Sequence, residues 1–479
     1  MNAEHTSAPG QGPIPAEATP SEAAQVTSLV ILGASGDLTS RLLLPALGQL
    51  LSDQPQRRVQ LLGAGVEPWT DEHWRSVVKS AFTTQDASGP AVDSLLGTTT
   101  YVAADVTNPQ ELTGLLNACE GRPALYFALP PVVSAKTIGA LDQIGLPPGT
   151  TLAMEKPFGS DLESAVALNE QLARLVPEDQ IHRVDHFLGN STVFNLVGLR
   201  FANRIFEPVW NCQHIDRVDI VYDETLALEG RARYYDKAGA LRDMIQSHLL
   251  LVLAVLAMEA PSRLGTGDIR EAMGAVLRAT RLWDDSPLES SRRATYDVGT
   301  VDGRPITAYA DEPGVDSARS TETLAEATFA IDSWRWAGVP FTLRSGKALG
   351  QKRREIVVSF KPAQHIPLGL TGATEPTKLR VFLAPDAMSL ELNINGPGDP
   401  MTIDRTEMIA QFGPGALLAY GEILAGILDG RPSLSVRGEA AVELWRIVTP
   451  ILEAWGQNKV PLESYPAGSA GPATWKAPG

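Results

Sequence analysis

Three short segments of the 479-residue chain concentrate side chains able to move protons or hold anions. The first is Glu155-Lys156-Pro157-Phe158-Gly159, where the proline keeps Lys156 out of the αR region and its cation can point into a crevice. The second, His182 to Gly189, crowds His182, Arg183, Asp185 and His186 together ahead of a closing glycine. The third runs from Gly239 through Arg242, Asp243 and Gln246 to His248, where a polar stretch gives way to an apolar one. Taken singly, each segment also has an ordinary structural reading: a solvated strand-end lysine, a loop with a satisfied histidine, a core histidine with one partner. A carboxylate neighbour is what would lift His248 above that, because a general-base imidazole needs its tautomer fixed and its protonated form stabilised. Oxidation of an alcohol by hydride transfer requires such a proton acceptor, and an imidazole with a near-neutral pKa suits that role.

Elements of a recognisable kind must hold these segments. From Leu29, LVILGASGDL reads as a short apolar strand ending in glycines, and SRLLLPALGQLL as the helix after it. The alternation continues through VQLLGAGV, DEHWRSVVKSAF, TTYVAADV, PQELTGLLNACE, ALYFALPP and TTLAMEKPFG. Strands and helices alternating at this spacing predict a doubly wound, parallel Rossmann sheet, placed at residues 28–200. Gly33, Ala34, Ser35, Gly36, Asp37 and Leu38 then form a strand-to-helix turn, where backbone N–H groups and a helix N-terminus can meet a pyrophosphate. G-x-x-G is shorter than the full dinucleotide fingerprint, so a purely structural turn competes, and the βαβ context favours a cofactor. The choice between NADP and NAD stays open. The second strand ends in Gly65-Val66, with no basic residue; Ser35 and Arg41 are candidates to hold a 2′-phosphate, and Glu67 to hold a ribose hydroxyl.

After Ile205 the hydrophobic period changes. HIDRVDIVYDETLAL, KRREIVVSFKPA, TKLRVFLAP and MSLELNING alternate with period two, and GALRDMIQSHLLLVLAVLAM, DIREAMGAVLRAT and AAVELWRIVTPILEAW read as helices. This predicts a larger α+β domain, residues 201–465, with an antiparallel sheet covered by helices on one face. Residues 1–27, rich in Ala, Pro, Glu and Ser, read as a disordered tail and not as a signal peptide, and residues 466–479 as a flexible tail. LLLVLAVLAM is far short of the ~20 apolar residues of a membrane span and suits a buried helix. Cys119 and Cys212 have neither a disulfide framework nor metal-ligand spacing, which predicts a cytoplasmic protein and no metal site. A formal charge of −16 argues against nucleic acid as a partner and requires a local basic pocket for any anionic substrate.

GASGDL, EKPFG, RVDHFLG, EGRARYYD, ALRDMIQSH and FTLRSGKAL, in that order, resemble the motif series of the glucose-6-phosphate dehydrogenase family; FEPVWN and LWRIVTPILEAW are also similar. The resemblance runs from about residue 29 to 456. It implies a Rossmann domain and an antiparallel second domain packing into a homodimer or homotetramer. It also implies oxidation of a small sugar phosphate at C1 to a lactone with NADP or NAD, the first step of the oxidative pentose phosphate pathway. On the same ground His248 is the base and Asp185 its paired carboxylate, while Lys156 contacts both substrate and cofactor. His186 and the position of Asn190 face the sugar phosphate, Glu224 and Asp243 bind sugar hydroxyls, and Lys347 and Lys352 are basic substrate contacts.

The chain departs from the family at several anion contacts. DHYLGK of the family reads DHFLGN here, so Phe187 and Asn190 replace a tyrosine and a lysine that contact phosphate. Leu42, Val66 and Ala384 stand where the family has a lysine, the arginine for the 2′-phosphate and a glutamine. Charge-assisted bonds to phosphate contribute about 1.5–3 kcal/mol each. Losing two weakens binding by orders of magnitude unless another cation refills the pocket, and Arg233 in EGRARYY is the candidate. These departures leave alternatives: a paralogous hexose dehydrogenase acting on a non-phosphorylated or differently substituted sugar, or a catalytically silent regulatory homologue. A glucose–fructose oxidoreductase type enzyme would share the Rossmann domain and EKP, but not RVDHFLG or LRDMIQSH.

Overall fold

Short runs rich in Val, Leu and Ile, buried on both faces, build the first sheet, as parallel strands covered by crossover helices require. A computed structural model describes residues 26–413 and 415–475, so nearly all of the expected N-terminal tail lies outside the described residues. The strands are β1 (Thr27–Leu32), β2 (Val59–Gly65), β3 (Thr100–Ala103), β4 (Arg122–Phe127), β5 (Thr151–Glu155) and β6 (Ile181–Val184). They pair in parallel in the order β3-β2-β1-β4-β5-β6, and Ser435–Val436 adds antiparallel to β6. This is a doubly wound Rossmann sheet. Its order reverses beside β1, and the crevice at the carboxyl ends there is where ligands of open α/β sheets bind. Lys156 directly follows β5 and Asp185 directly follows β6. Neither β6 nor the distant Ser435–Val436 strand stands out in the local pattern, since the sheet completes itself by pairing over a long sequence separation.

The second sheet has 11 strands, with β7 (Ile215–Asp223) near its middle. It is mixed and predominantly antiparallel. β7 itself runs antiparallel to Arg353–Phe360 and parallel to Phe341–Gly346. Parallel pairing needs a long crossover, and the intervening chain supplies one by folding back through helices.

The segment expected as one helix, from Gly239 to Met258, changes winding along its length. Ala232–Ala240 is α-helical, Leu241–Leu249 is π-helical and Leu250–Ala257 is α-helical again. Gly239 takes φ +67, and a Cβ there would lie 2.3 Å from Glu322 Oε1. The glycine thereby lets the Glu322 carboxylate reach the Leu241 N–H at 2.9 Å and cap the new helix start. By length and composition this helix could cross a membrane, yet 83% of its most apolar window is buried in the protein, as in a core helix. One hydrophobic core runs from Val30 and Leu32 through Leu249–Met258 and Trp445 to Ile356 and Val358, so both sheets share it. At the C-terminal end, residues 467–475, read as a flexible tail, are tied down. The Ala467 N–H bonds to Asp297 O at 3.1 Å, and Trp475 buries its ring beside Arg292 and Arg344.

Candidate active site

The π-helical turn helps bring Asp243 and His248 to the same lysine. Residues five apart on an α-helix point about 140° away from each other. A helix bonded i to i+5 winds more residues into each turn and brings them back toward one side. Here Lys156, at the end of β5, reaches both: its Nζ donates to Asp243 O at 2.8 Å and lies 2.7 Å from His248 Nε2, with Asp243 Oδ1 at 3.5 Å. Trp445, donating to Phe158 O at 2.9 Å, pins the loop that carries Lys156.

On the other side of the imidazole, Nδ1 lies 2.7 and 2.8 Å from the two carboxylate oxygens of Asp185. Both side chains are buried. The Phe187 N–H donates to Asp185 Oδ1 at 3.0 Å and fixes the carboxylate in turn. Burial pushes Asp185 up, but the adjoining His248, its hydrogen bond, His186 and Lys156 outweigh this and hold it at about 2. Burial lowers His248; Asp185 opposes that, and the Lys156 cation adds to it, for a net downward shift. An ionised carboxylate on Nδ1 and an ammonium on Nε2 define one tautomer: the proton is on Nδ1, and the Nε2 lone pair faces the crevice. Such an imidazole can accept a proton from a hydroxyl that takes the place of Lys156.

The acids around this imidazole are organised by cations. Glu224, just past β7, takes Lys347 Nζ on one oxygen at 2.8 Å and Arg354 Nη2 on the other, also at 2.8 Å. Arg354 lies over the Tyr222 ring at 4.5 Å, and Tyr222 meets Phe187 at 5.4 Å. Tyr234 donates to Asp243 Oδ1 at 3.1 Å; burial raises the Asp243 carboxyl, but Lys156, His248 and Lys347 bring it below its ordinary value. Thus Lys156, Asp185, His248 and Asp243 meet at one point, with Glu224 and Lys347 paired as a second group. Lys352 is exposed and is not the cation on Glu224; Arg354, two residues on, is. Arg233 is exposed on the helix that carries Tyr234.

His186 lies edge-on to His248 at 4.7 Å and stacks with Tyr420 at 5.9 Å. Burial, then His248, lowers it to about 4. Phe187 stacks on His248 with centroids 4.2 Å apart. Asn190 caps the helix Ser191–Phe201 by accepting from Thr192 N at 3.0 Å, and its amide donates to Leu383 O at 3.4 Å. An Asn immediately ahead of a helical run signals such a cap, so this use was readable in the sequence. Beneath Lys156, the Glu155 carboxyl is pushed up to about 7 by burial, although Tyr126 and Tyr420 donate to it. Asp185, His186 and His248 also bring ligand atoms within 4.8 Å of one another, a spacing that a metal can use. However, the Asp185 oxygens are engaged on Nδ1 and the Lys156 ammonium already sits at Nε2.

The turn after β1 fits a dinucleotide. Gly33 takes φ +86, and a Cβ would lie 2.4 Å from Ala128 O, so only glycine lets β1 and β4 approach at this point. Gly33 and Ala34 bond to Ala64 O at 2.8 and 2.9 Å, and Gly36 closes the turn on Gly33 O at 3.0 Å, which puts the start of the next helix over the crevice. Ser35 donates to Glu67 Oε2 at 2.6 Å. Asp37 pairs with Arg41 at 3.0 Å, Leu38 is half-buried, and Leu42 and Val66 are exposed.

Two family models match nearly the whole described chain: "Glucose-6-phosphate dehydrogenase, NAD binding domain" over residues 30–195 and "Glucose-6-phosphate dehydrogenase, C-terminal domain" over residues 197–477. The chain is 38% identical over 463 residues to a glucose-6-phosphate 1-dehydrogenase of Gluconobacter oxydans, covering 92% of this chain and 94% of that one. It is 36% identical over 468 residues to the enzyme of the same name from Bacillus subtilis, covering 93% and 94%. Among solved structures it is similar to a glucose-6-phosphate dehydrogenase in complex with its substrate glucose-6-phosphate, with TM-score 0.84, 28% identity, and coverage of 94% and 96%. It is also similar to the glucose-6-phosphate 1-dehydrogenase of Mycobacterium avium, with TM-score 0.81, 32% identity, and coverage of 93% and 95%.

Proposed function

The chain belongs to the glucose-6-phosphate dehydrogenase family, and on that premise we propose that it oxidises glucose 6-phosphate at C1 to 6-phosphogluconolactone. It is an NAD(P)-dependent oxidoreductase, and the bound nicotinamide supplies the hydride acceptor. The observation that carries this reading is the line Asp185–His248–Lys156, drawn across the carboxyl ends of β5 and β6.

In this reading His248 Nε2 accepts the proton of the C1 hydroxyl. Asp185 keeps the opposite nitrogen protonated and stabilises the imidazolium that forms. Lys156 leaves Nε2 as the hydroxyl arrives and donates to the sugar oxygen. Glu224, fixed by Lys347 and Arg354, and Asp243, fixed by Tyr234, accept from sugar hydroxyls. A carboxylate held between two cations stays ionised and aimed, so it needs little rearrangement when the sugar binds. His186 and Asn190 are assigned to the phosphate side, and Lys352 to the substrate as a basic contact. The subunits associate as a homodimer or homotetramer through the outer strands of the larger sheet, where Met401, Met408, Ile409 and Phe412 are exposed. The setting is cytoplasmic, in keeping with two free cysteines.

A second reading, a hexose dehydrogenase for a sugar without the phosphate, is favoured by two observations: Asn190 is occupied in capping, and Phe187 offers His248 a ring face with no hydroxyl. Initial rates for glucose, glucose 6-phosphate and other hexoses, each with NAD and NADP, test both. The first reading expects glucose 6-phosphate to give the highest kcat/KM. Preference for an unphosphorylated hexose would replace it with the second.

A further inference from the structure

The corner just past β2 holds three oxygens that neither the proton path nor the sugar contacts use. Glu67 follows the exposed Val66 there, and its Oε2 accepts from Ser35, which belongs to the glycine turn. A Cβ on Gly65 would lie 2.7 Å from Tyr101 Oη, 3.0 Å from Glu67 Oε2 and 3.6 Å from Ser35 Oγ. The missing side chain therefore lets the three oxygens crowd together against the Gly65 backbone. Tyr101 is 8% exposed, and its hydroxyl is buried without a hydrogen-bond partner among the described residues. Buried hydroxyls are nearly always paired, so this one points to a ligand group that the protein does not itself supply. Trp69, its ring 5.4 Å from that of Tyr101, closes the same corner.

From these residues we propose that Ser35, Glu67 and Tyr101 bind the adenosine ribose diol of the cofactor and make the chain prefer NAD to NADP. The inference rests on the reading of the chain as a nicotinamide-dependent dehydrogenase and adds which dinucleotide it selects. In a doubly wound sheet the residue past the second strand faces the adenosine ribose. A carboxylate oriented by a serine accepts from a 2′-hydroxyl, and Tyr101 gains the partner it lacks. A 2′-phosphate would meet that carboxylate as a like charge. Arg41, the nearby cation on the helix after the turn, is already paired with Asp37, and both side chains are largely exposed.

The test is calorimetric binding of ADP-ribose and 2′-phospho-ADP-ribose to the full-length protein, with no turnover involved. ADP-ribose is expected to bind tighter by about tenfold or more. Glu67→Gln, which keeps the shape and removes the charge, should bring the two ligands within about threefold of each other. Tyr101→Phe should weaken ADP-ribose by several-fold with an unchanged melting temperature, and Val66→Arg combined with Glu67→Ser should reverse the preference. Equal or tighter binding of the 2′-phosphorylated ligand to the wild type, or a gap that survives Glu67→Gln, overturns the proposal. Preferential ADP-ribose binding by a protein that oxidises no glucose 6-phosphate with either dinucleotide leaves this assignment standing and removes the substrate reading instead.

Discussion

Replacing Asp185 with asparagine keeps the shape beside His248 and removes the charge. In the native arrangement both carboxylate oxygens lie within 2.8 Å of Nδ1. Two effects then act on the rate. An asparagine amide can donate to Nδ1, which favours the tautomer with its proton on Nε2 and leaves no lone pair for the substrate hydroxyl. The imidazolium formed in the transition state also loses a facing negative charge. Across about 4 Å, at an effective dielectric of about 20, that attraction amounts to about 4 kcal/mol. Each 1.4 kcal/mol is about tenfold in rate, so kcat should fall by about a thousandfold, and further if the tautomer shifts. Asp185 is buried and is not among the groups assigned to the sugar, so KM for glucose 6-phosphate should change by less than about threefold. Steady-state rates at saturating cofactor, with calorimetric binding of the sugar phosphate, separate the two quantities. A variant that keeps kcat within tenfold of the wild type refutes the electrostatic argument. So does one whose loss lies entirely in KM.

Further outcomes follow from the same geometry. The base acts when neutral, and burial and Lys156 lower its pKa, so the acid limb of kcat/KM should lie below the ordinary histidine value of about 6.5. Lys156→Met removes a cation, stabilises the imidazolium and should move the limb of the residual activity to higher pH; an unmoved limb removes the Lys156–His248 coupling from the account. Arg354→Ala strips one of the two cations from Glu224 and should raise KM for glucose 6-phosphate about tenfold, with kcat within about threefold. If Glu224 holds no hydroxyl, KM will stay at the wild-type value. His182 is buried and lowered to about 3, by burial first and then by Arg270 and Arg122. Below pH 6.5 the unfolded chain therefore takes up a proton there that the folded chain refuses, so stability falls as pH drops toward 3. At pH 4.5 the loss is about 3 kcal/mol relative to pH 7. The urea midpoint of His182→Gln should depend less steeply on pH, and equal slopes would contradict this.

The doubly wound sheet was legible because its strands are short apolar runs ending in glycine or proline, and each local pattern agrees with the global topology. Lys156, Asp185 and His248 were legible as residue types in the right segments, but their meeting was not. It depends on β5 and β6 ending side by side and on a π-helical turn that no apolar periodicity announces. Glu322, which caps that turn, lies 81 residues away from Leu241. Lys352 and Arg354 show a different limit. The run KRR offers three cations in a row, and only the pairing of Arg354 with Tyr222 across β7 decides which of them reaches Glu224. Tyr101 gave no signal at all. Its significance is a missing partner, visible only once Gly65, Glu67 and Ser35 surround it.

The central claim is that the His248 imidazole takes the proton of the sugar hydroxyl, and His248→Asn tests it most directly. The measurement is the turnover of glucose 6-phosphate by that variant, taken beside its calorimetric affinity for the same sugar phosphate. With the proton acceptor gone, kcat should fall by about a thousandfold or more while the affinity stays within about threefold. A variant that binds the sugar phosphate normally and turns it over within tenfold of the wild-type rate would contradict it.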